Sequence, residues 1–240
     1  DIGGSGIKGA PVDTDRGELV GDRLRIPTPR PAVPQKIAEV VAEVARHFDW
    51  STAIGATFPG VIKEGEVWTA ANVHKSWVGI DGRDLLEQHT GCTVTLLNDA
   101  DAAGMAEMRF GAGRGQTGLV MMITLGTGIG TAMFMNGHLV PNSELGHLII
   151  RGKDAEERAS DRARSARSWR WKKWAKRLDE YLRYVEALLH PDLFILGGGV
   201  SKKHDRFLGY LTTTAPVVPA EMRNEAGIVG AAIAAGSDEL

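Results

Sequence analysis

The residues best suited to chemistry fall into three glycine-rich turns, one strand-end aspartate and one glutamate–histidine pair. The turns are Asp1-Ile2-Gly3-Gly4-Ser5-Gly6-Ile7-Lys8, Leu125-Gly126-Thr127-Gly128-Ile129-Gly130 and Leu196-Gly197-Gly198-Gly199. Glycines this close together reach positive φ and let backbone N–H groups approach an anion. Each turn alone is equally an ordinary hairpin bend; three with related grammar, two of them also bearing a hydroxyl, point to an anion. Asp99 follows Asn98 at the end of the apolar run Val94-Thr95-Leu96-Leu97, where open α/β sheets place ligand groups. There it either caps the next helix or takes a proton from a hydroxyl nucleophile. Glu144 and His147 lie three apart and either fix one another, belong to a metal site, or bind a sugar. Two ligands fall short of the three a metal usually needs, whereas a carboxylate and an imidazole suit vicinal hydroxyls. Asn72 and Glu156 are individually unremarkable polar residues.

The elements that must position these residues alternate between strand and helix. Apolar runs at 53–57, 94–97, 120–125, 129–134 and 193–196 read as strands, the central pair flanking Gly126–Gly130. Short hairpin strands are expected at 10–12 and 19–21, then an extended, proline-rich loop at 26–34. Ile37, Val40, Val41, Val44, Ala45 and Phe48 share one helix face, and 84–89 forms a short helix. Another helix, bearing Ala102, Ala103, Ala106 and Phe110, follows Asn98-Asp99, and Leu148-Ile149-Ile150 is a strand. A long helix has the stripe Trp171, Trp174, Leu178, Tyr181, Leu182, Val185, Leu188 and Leu189; a small-residue helix spans 226–235. Strands alternating with helices, and glycine turns after strands, define an α/β fold in two similar lobes. The smaller N-terminal lobe covers 1–112 and is joined by the C-terminal helix, about 228–240; the larger covers 113–227.

With 240 residues, 43% hydrophobic and 24% charged, and a net charge of −2, the chain has the composition of a globular protein without a global field for nucleic acid. Its single cysteine, Cys92, excludes an intrachain disulfide and a multi-cysteine zinc site, and fits a reducing cytoplasm. No apolar run approaches the roughly 18 residues of a membrane span, and no signal peptide is visible. The chain opens inside its first motif, so residues completing that strand are expected ahead of Asp1.

Taken together, Asp1-Ile2-Gly3-Gly4, Thr57-Phe58-Pro59-Gly60, Asn98-Asp99-Ala100-Asp101, Leu125–Gly130, Glu144-Leu145-Gly146-His147 and Leu196-Gly197-Gly198-Gly199-Val200 resemble, in order, the motifs of the ROK sugar kinases. These belong to the hexokinase, actin and heat-shock-protein superfamily, and the likeness covers essentially the whole chain. It implies two ribonuclease-H-like lobes around a cleft, with sugar inside and the phosphoryl donor between the glycine turns. By this resemblance Asp99 is the catalytic base, and Asn72, Asn98, Asp99, Glu144, His147 and Glu156 are glucose ligands. Glu156 enters because Ala155-Glu156-Glu157-Arg158-Ala159-Ser160 is similar to the family's Leu-Glu-Thr-Tyr-Ala-Ser segment. Asp1 positions Mg²⁺, through water. Gly3, Gly4, Ser5, Gly6 and Lys8 with Gly126, Thr127, Gly128 and Gly130 cradle phosphate, while Gly197, Gly198 and Gly199 face the nucleotide end of ATP.

Two departures narrow the resemblance. The family's cysteine-rich zinc motif is missing, with Arg151-Gly152-Lys153-Asp154 in its place, so no zinc is expected. Gly6 also stands where lysine often follows the first Gly-Gly-Thr. The missing zinc motif, the Asn98–Gly104 run and Ser168-Trp169-Arg170-Trp171-Lys172-Lys173-Trp174-Ala175 are similar to actinobacterial polyphosphate-using glucokinases. A basic stretch gives that a physical basis: 162–177 carries Arg162, Arg164, Arg167, Arg170, Lys172, Lys173, Lys176 and Arg177 and no acid. It is either a solvated helix face or a track for a flexible polyanion; solvated faces normally mix signs. Arg170, Lys172, Lys173 and Lys176, extended by Lys202 and Lys203, form the expected polyphosphate track. Interleaved tryptophans also suit single-stranded nucleic acid, but they fit the buried stripe better. The expected protein is thus a cytoplasmic, homodimeric phosphotransferase that moves phosphoryl from polyphosphate, or from ATP, to the 6-hydroxyl of glucose. The alternatives are an ATP-dependent glucokinase, another hexose kinase, or a sugar-sensing ROK repressor without its DNA-binding domain.

Overall fold

The computed structural model describes residues 1–236, and the chain divides into two compact units, Asp1–Ala106 with Glu225–Leu240, and Glu107–Asn224. The first division falls inside a helix, ahead of residue 112. Of the helix expected at about 228–240, residues 237–240 lie outside the described residues.

In unit 1, β1 (Ile2–Gly3), β2 (Gly6–Gly9) and β5 (Leu24–Ile26) form an antiparallel sheet, and β3 (Val12–Asp13) and β4 (Glu18–Leu19) a small hairpin between them. β5 was not expected: it is the first part of the segment before the prolines, and it pairs with β2 from Ile7↔Ile26 to Gly9↔Leu24. Helix α1 (Pro34–His47) starts on a proline, whose missing N–H costs nothing at a helix start. It buries Ile37, Ala38, Val41, Ala42 and Ala45. β6 (Ile54–Phe58) and β9 (Val94–Asn98) pair in parallel, ending at Phe58↔Asn98. Between them come the hairpin β7 (Ile62–Lys63) and β8 (Glu66–Val67), and helix α2 (Gly82–Thr90), capped by Asp81 and closed by Gly91 at φ 71°. Helix α3 (Asp99–Phe110) begins directly after β9.

The terminal helix Ala226–Ala235 matches its expected span and completes unit 1. Its small residues have a steric cause. A Cβ on Gly55 would lie 1.8 Å from the Ala231 carbonyl, and one on Gly230 would lie 1.7 Å from that of Ala102. The helix therefore meets β6 and α3 backbone to backbone, and larger side chains would push it off.

Unit 2 is built on one five-stranded sheet. β10 (Leu119–Leu125), β11 (Ile129–Met135) and β12 (His138–Val140) run antiparallel, while β15 (Leu193–Gly197) and β16 (Val217–Pro219) continue in parallel on the other side of β10. Unit 1 repeats this order, with β5-β2-β1 antiparallel and β6-β9 parallel. Between β12 and β15 lie the hairpin β13 (Ile149–Ile150) and β14 (Lys153–Asp154), then helices α4 (Ala155–Ala159), α5 (Asp161–Ala166) and α6 (Trp171–Leu189). The core packs Trp174, Leu178, Tyr181, Leu182 and Val185 of α6 onto Met121, Ile123, Phe194 and Leu196 of the sheet. The expected α6 stripe needs correcting at one residue: Trp171 and Leu189 pack against the core half-buried, whereas Leu188 is 57% exposed. Likewise Leu148 is outside β13, because Ala155, whose N–H donates to the Leu148 carbonyl at 2.9 Å, already begins α4. Among the described residues, no helix is long and apolar enough to cross a membrane.

Candidate active site

In unit 1 the expected residues gather at the carboxyl ends of β6 and β9 and at the β1–β2 turn. Asn98 is 6% exposed, and its side chain makes three hydrogen bonds within the protein. Its Oδ1 accepts the N–H groups of Ala100 and Asp101 at 2.8 and 3.1 Å, and its Nδ2 donates to the Gly60 carbonyl at 3.1 Å. These are the N2 and N3 donors of α3, so Asn98 is the helix cap. Asn98, not Asp99, is therefore the residue whose side chain accepts these two donors. Asp99 occupies the first position of α3 and is exposed, held on a strand end and a capped helix. Gly60 admits no side chain, since a Cβ would meet the Thr69 carbonyl at 2.1 Å, and the Ala71 N–H donates to the Pro59 carbonyl at 3.1 Å. That bond brings Asn72 up to the first glycine turn, where a Cβ on Gly4 would meet the Asn72 carbonyl at 2.9 Å. Asn72 and Ser5 are exposed.

The same turn is held from behind. Arg25 donates to the Ser5 carbonyl at 2.9 Å, and Gly6 leaves the space its guanidinium fills, because a Cβ there would lie 2.7 Å from Arg25 Nε. Asp1 Oδ2 is 3.2 Å from Lys8 Nζ, and Asp1 Oδ1 accepts from the Thr57 hydroxyl at 3.2 Å. Burial lowers the Lys8 pKa, and the nearby charges of Arg23 and Arg25 lower it further. Lys8 thus sits in a positive neighbourhood, with the Asp1 carboxylate at close range.

In unit 2 the turn between β10 and β11 faces a carboxylate cluster. Glu156, on α4, accepts from the Ile129 N–H at 3.4 Å, and a Cβ on Gly128 would lie 2.3 Å from its Oε2. The Glu144–His147 loop is clamped to β11. The Thr131 hydroxyl donates to the Ser143 carbonyl at 2.6 Å and accepts the Leu145 N–H at 3.1 Å. Gly146 lies against the Ile129 carbonyl, 2.1 Å from where its Cβ would stand. His147 Nε2 is 3.7 Å from Glu144, and its Nδ1 is 3.8 Å from Asp154, distances of ion pairing rather than hydrogen bonding. Burial pushes the Glu144 carboxyl above its ordinary value; His147 opposes this and the charge of Glu156 adds to it.

Asp154 escaped the sequence reading, although it precedes the Ala-Glu-Glu segment directly. The signal available was its position as the last residue before a helix. The third glycine turn joins this set: Gly198 sits at φ 81° against Leu125, 2.3 Å from that carbonyl to its Cβ position, and β15 pairs Gly197 with Thr124. The Arg162 N–H donates to the Gly126 carbonyl at 3.0 Å, tying the start of α5 to the second turn. Unit 2 thus brings together Gly126–Gly130, Gly197–Gly199, Glu144, His147 and Glu156, while unit 1 brings together Asp1, Gly3–Lys8, Asn72, Asn98 and Asp99.

The basic residues meet different aromatic partners. Lys172 lies over the Tyr210 ring at 5.8 Å, whereas Lys173 and Arg177 lie over Trp169 at 5.6 and 4.2 Å. Arg170 precedes α6, and Lys202 and Lys203 are exposed on the 3-10 segment Gly199–Arg206.

Glycine-rich turns at strand ends and a carboxylate–imidazole cluster thus stand on two α/β units, and comparison with known proteins places the chain among sugar kinases of this fold. Residues 1–160 match the ROK family, and the chain belongs to that family. It is 51% identical over 239 residues to a polyphosphate glucokinase of Mycobacterium tuberculosis, covering 99% of this chain and 90% of that one. The solved inorganic polyphosphate/ATP-glucomannokinase of Arthrobacter sp. strain KM superposes with a TM-score of 0.94 at 51% identity, covering 98% of this chain and 96% of that one. A ROK family glucokinase from Streptomyces griseus, solved with glucose and AMPPNP, gives a TM-score of 0.81 at 26% identity, with 98% and 97% covered.

Proposed function

We propose that this chain is a polyphosphate glucokinase, transferring phosphoryl from inorganic polyphosphate, and also from ATP, to the 6-hydroxyl of glucose. The observation that carries this is the 51% identity to the Mycobacterium tuberculosis polyphosphate glucokinase over nearly the full chain. The likeness to the Arthrobacter polyphosphate/ATP-glucomannokinase supports both donors, and the lone free cysteine suits a cytoplasmic enzyme.

Asp99 is the base in this reading. It accepts the proton of the attacking hydroxyl at a carboxylate oxygen late in a loose transition state. Asn98 acts on it through the helix cap, and its remaining Nδ2 hydrogen is left for the sugar. Glu144, His147 and Glu156 accept from or donate to sugar hydroxyls, and Asn72 adds an amide from beside the first turn. The turns at Gly3–Lys8 and Gly126–Gly130 hold the donor phosphates with backbone N–H groups, and Gly197–Gly199 meets the nucleoside when ATP is used. The Asp1 carboxylate beside a hydroxyl suits Mg²⁺, which binds through one or two carboxylates and keeps water and phosphate oxygens as its other ligands. When bound, the ion neutralises phosphate charge. Arg170, Lys172, Lys173, Lys176, Lys202 and Lys203 attract the polyanion by charge. Glucose titration without donor, followed by glucose 6-phosphate assay with each donor, tests the binding and transfer halves separately.

A further inference from the structure

Unit 2 carries an open cavity of about 740 Å³ whose charged lining is six cations against two carboxylates. One face of α6 supplies Lys173, Lys176, Arg177 and Arg183, α4 supplies Arg158, and the β13–β14 turn supplies Arg151. Both carboxylates are already engaged. Asp179 accepts from the Thr212 hydroxyl at 3.0 Å and from its N–H, and Glu180 accepts from both Arg151 and Arg158 at 2.5 Å. Burial pushes the Glu180 carboxyl up, but the two guanidiniums outweigh it and hold the carboxyl below its ordinary value. The Nε of Arg177 is buried with no hydrogen-bond partner, and its guanidinium lies 4.2 Å from the Trp169 ring. Glu180, the carboxylate whose charge acts on Arg177, is already shared by Arg151 and Arg158, which leaves this guanidinium among cations in excess. Its planar fork of donors matches phosphate oxygens.

We propose that this cavity is an anchoring subsite for a linear polyanion, the trailing part of an inorganic polyphosphate chain whose end serves as donor. It rests on the donor reading above. The connection to the phosphate turn is short. Glu156 faces Gly128 and Arg158 lines the cavity, so turn and cavity lie on either side of α4, a helix about 10 Å across. A nucleoside triphosphate held at the glycine turns ends before it could span that helix and fill the cavity. A long polyphosphate continues past the turn and meets Arg158, Arg177 and Arg183. The subsite therefore favours chain length through Arg158, Arg177 and Arg183.

The test compares the parent with Arg177→Gln/Arg183→Gln and, separately, with Ala187→Glu, which places a carboxylate in the lining at an exposed helix position. Long-chain inorganic polyphosphate is titrated calorimetrically without glucose at low salt, and KM is measured for that donor and for ATP. Both variants should bind the polyphosphate at least about tenfold more weakly and raise its KM, with the gap narrowing as salt screens the cavity. ATP-driven turnover and melting temperature should match the parent. Equal polyphosphate affinity in parent and both variants overturns the subsite, whichever donor the enzyme uses. If the parent binds polyphosphate through the cavity yet transfers phosphoryl only from ATP, the subsite stands and the donor reading falls. If the parent binds no polyphosphate, both fall.

Discussion

Replacing Asn98 with Ala separates two roles that the sequence cannot tell apart. Its side chain makes three hydrogen bonds within the protein, two to helix N–H groups and one to the Gly60 carbonyl, at a site 6% exposed. Loss of an Asn cap costs about 0.5–2 kcal/mol. The Gly60 carbonyl, left short of a donor, adds about 1–3 kcal/mol. Because one side chain serves both, the terms partly overlap, and about 1–4 kcal/mol is expected. For a chain of this size that is a fall in Tm of roughly 2–16 °C. Asn98→Asp keeps the cap but sets a carboxylate oxygen against the Gly60 carbonyl, so it should melt below the parent as well. Asn98→Ser keeps only the cap and should recover part of the loss. In all three, turnover should fall because Asp99 rides on the helix start that Asn98 fixes. The assay is thermal melting by circular dichroism beside glucose titration. If Asn98→Ala melts within about 2 °C of the parent while glucose binding collapses, the reasoning is refuted. The side chain's main partner would then be the sugar.

Asp99→Asn should leave glucose affinity nearly intact and cut turnover by about 10²–10⁴-fold, read by titration and steady-state kinetics; near-normal turnover would remove Asp99 as base. Because burial holds the Glu144 carboxyl above its ordinary value, the acceptor is lost as pH falls through that raised value, and glucose affinity should decline there. Glu144→Gln should flatten the profile and weaken affinity at neutral pH by about 1–3 kcal/mol. The same raised pKa means folding stability declines as pH rises from the ordinary carboxylate value to the raised one, since the folded state holds the proton longer; Glu144→Gln should remove that slope in melts. Gly128→Ala places a methyl 2.3 Å from Glu156 Oε2, so it should impair donor and glucose KM together, whereas a change in donor KM alone would show that Glu156 is not part of the sugar set.

Much of this fold was legible because its signals are local. The helix at Ala226–Ala235 and the strands around Gly126 follow from apolar runs bounded by glycine, proline and charge. The segment 155–166 was not legible as helix. Its α4 and α5 are short, and their buried residues are alanines, Ala155, Ala159 and Ala163, which give no hydrophobic period among so many charges. β5 hides ahead of a proline-rich loop, and only its long-range pairing with β2 defines it. At the site, residue types marked the right places but not the division of labour. Asn98 and Asp99 are adjacent and both can cap a helix; which one does depends on the Gly60 carbonyl, 38 residues away. Asp154 joins His147 through the β13–β14 hairpin, a pairing no spacing announces. The basic row was legible as a run of charge, but its aromatic partners, Tyr210 for Lys172 and Trp169 for Lys173, were not.

The most direct test of the central claim is glucose 6-phosphate formation by the purified chain with Mg²⁺ and glucose, supplied in parallel with nucleotide-free long-chain polyphosphate and with ATP. The account predicts product with both donors and loss of both activities in Asp99→Asn. Product from ATP alone would contradict the polyphosphate reading, and product from neither would contradict the assignment as a glucose kinase.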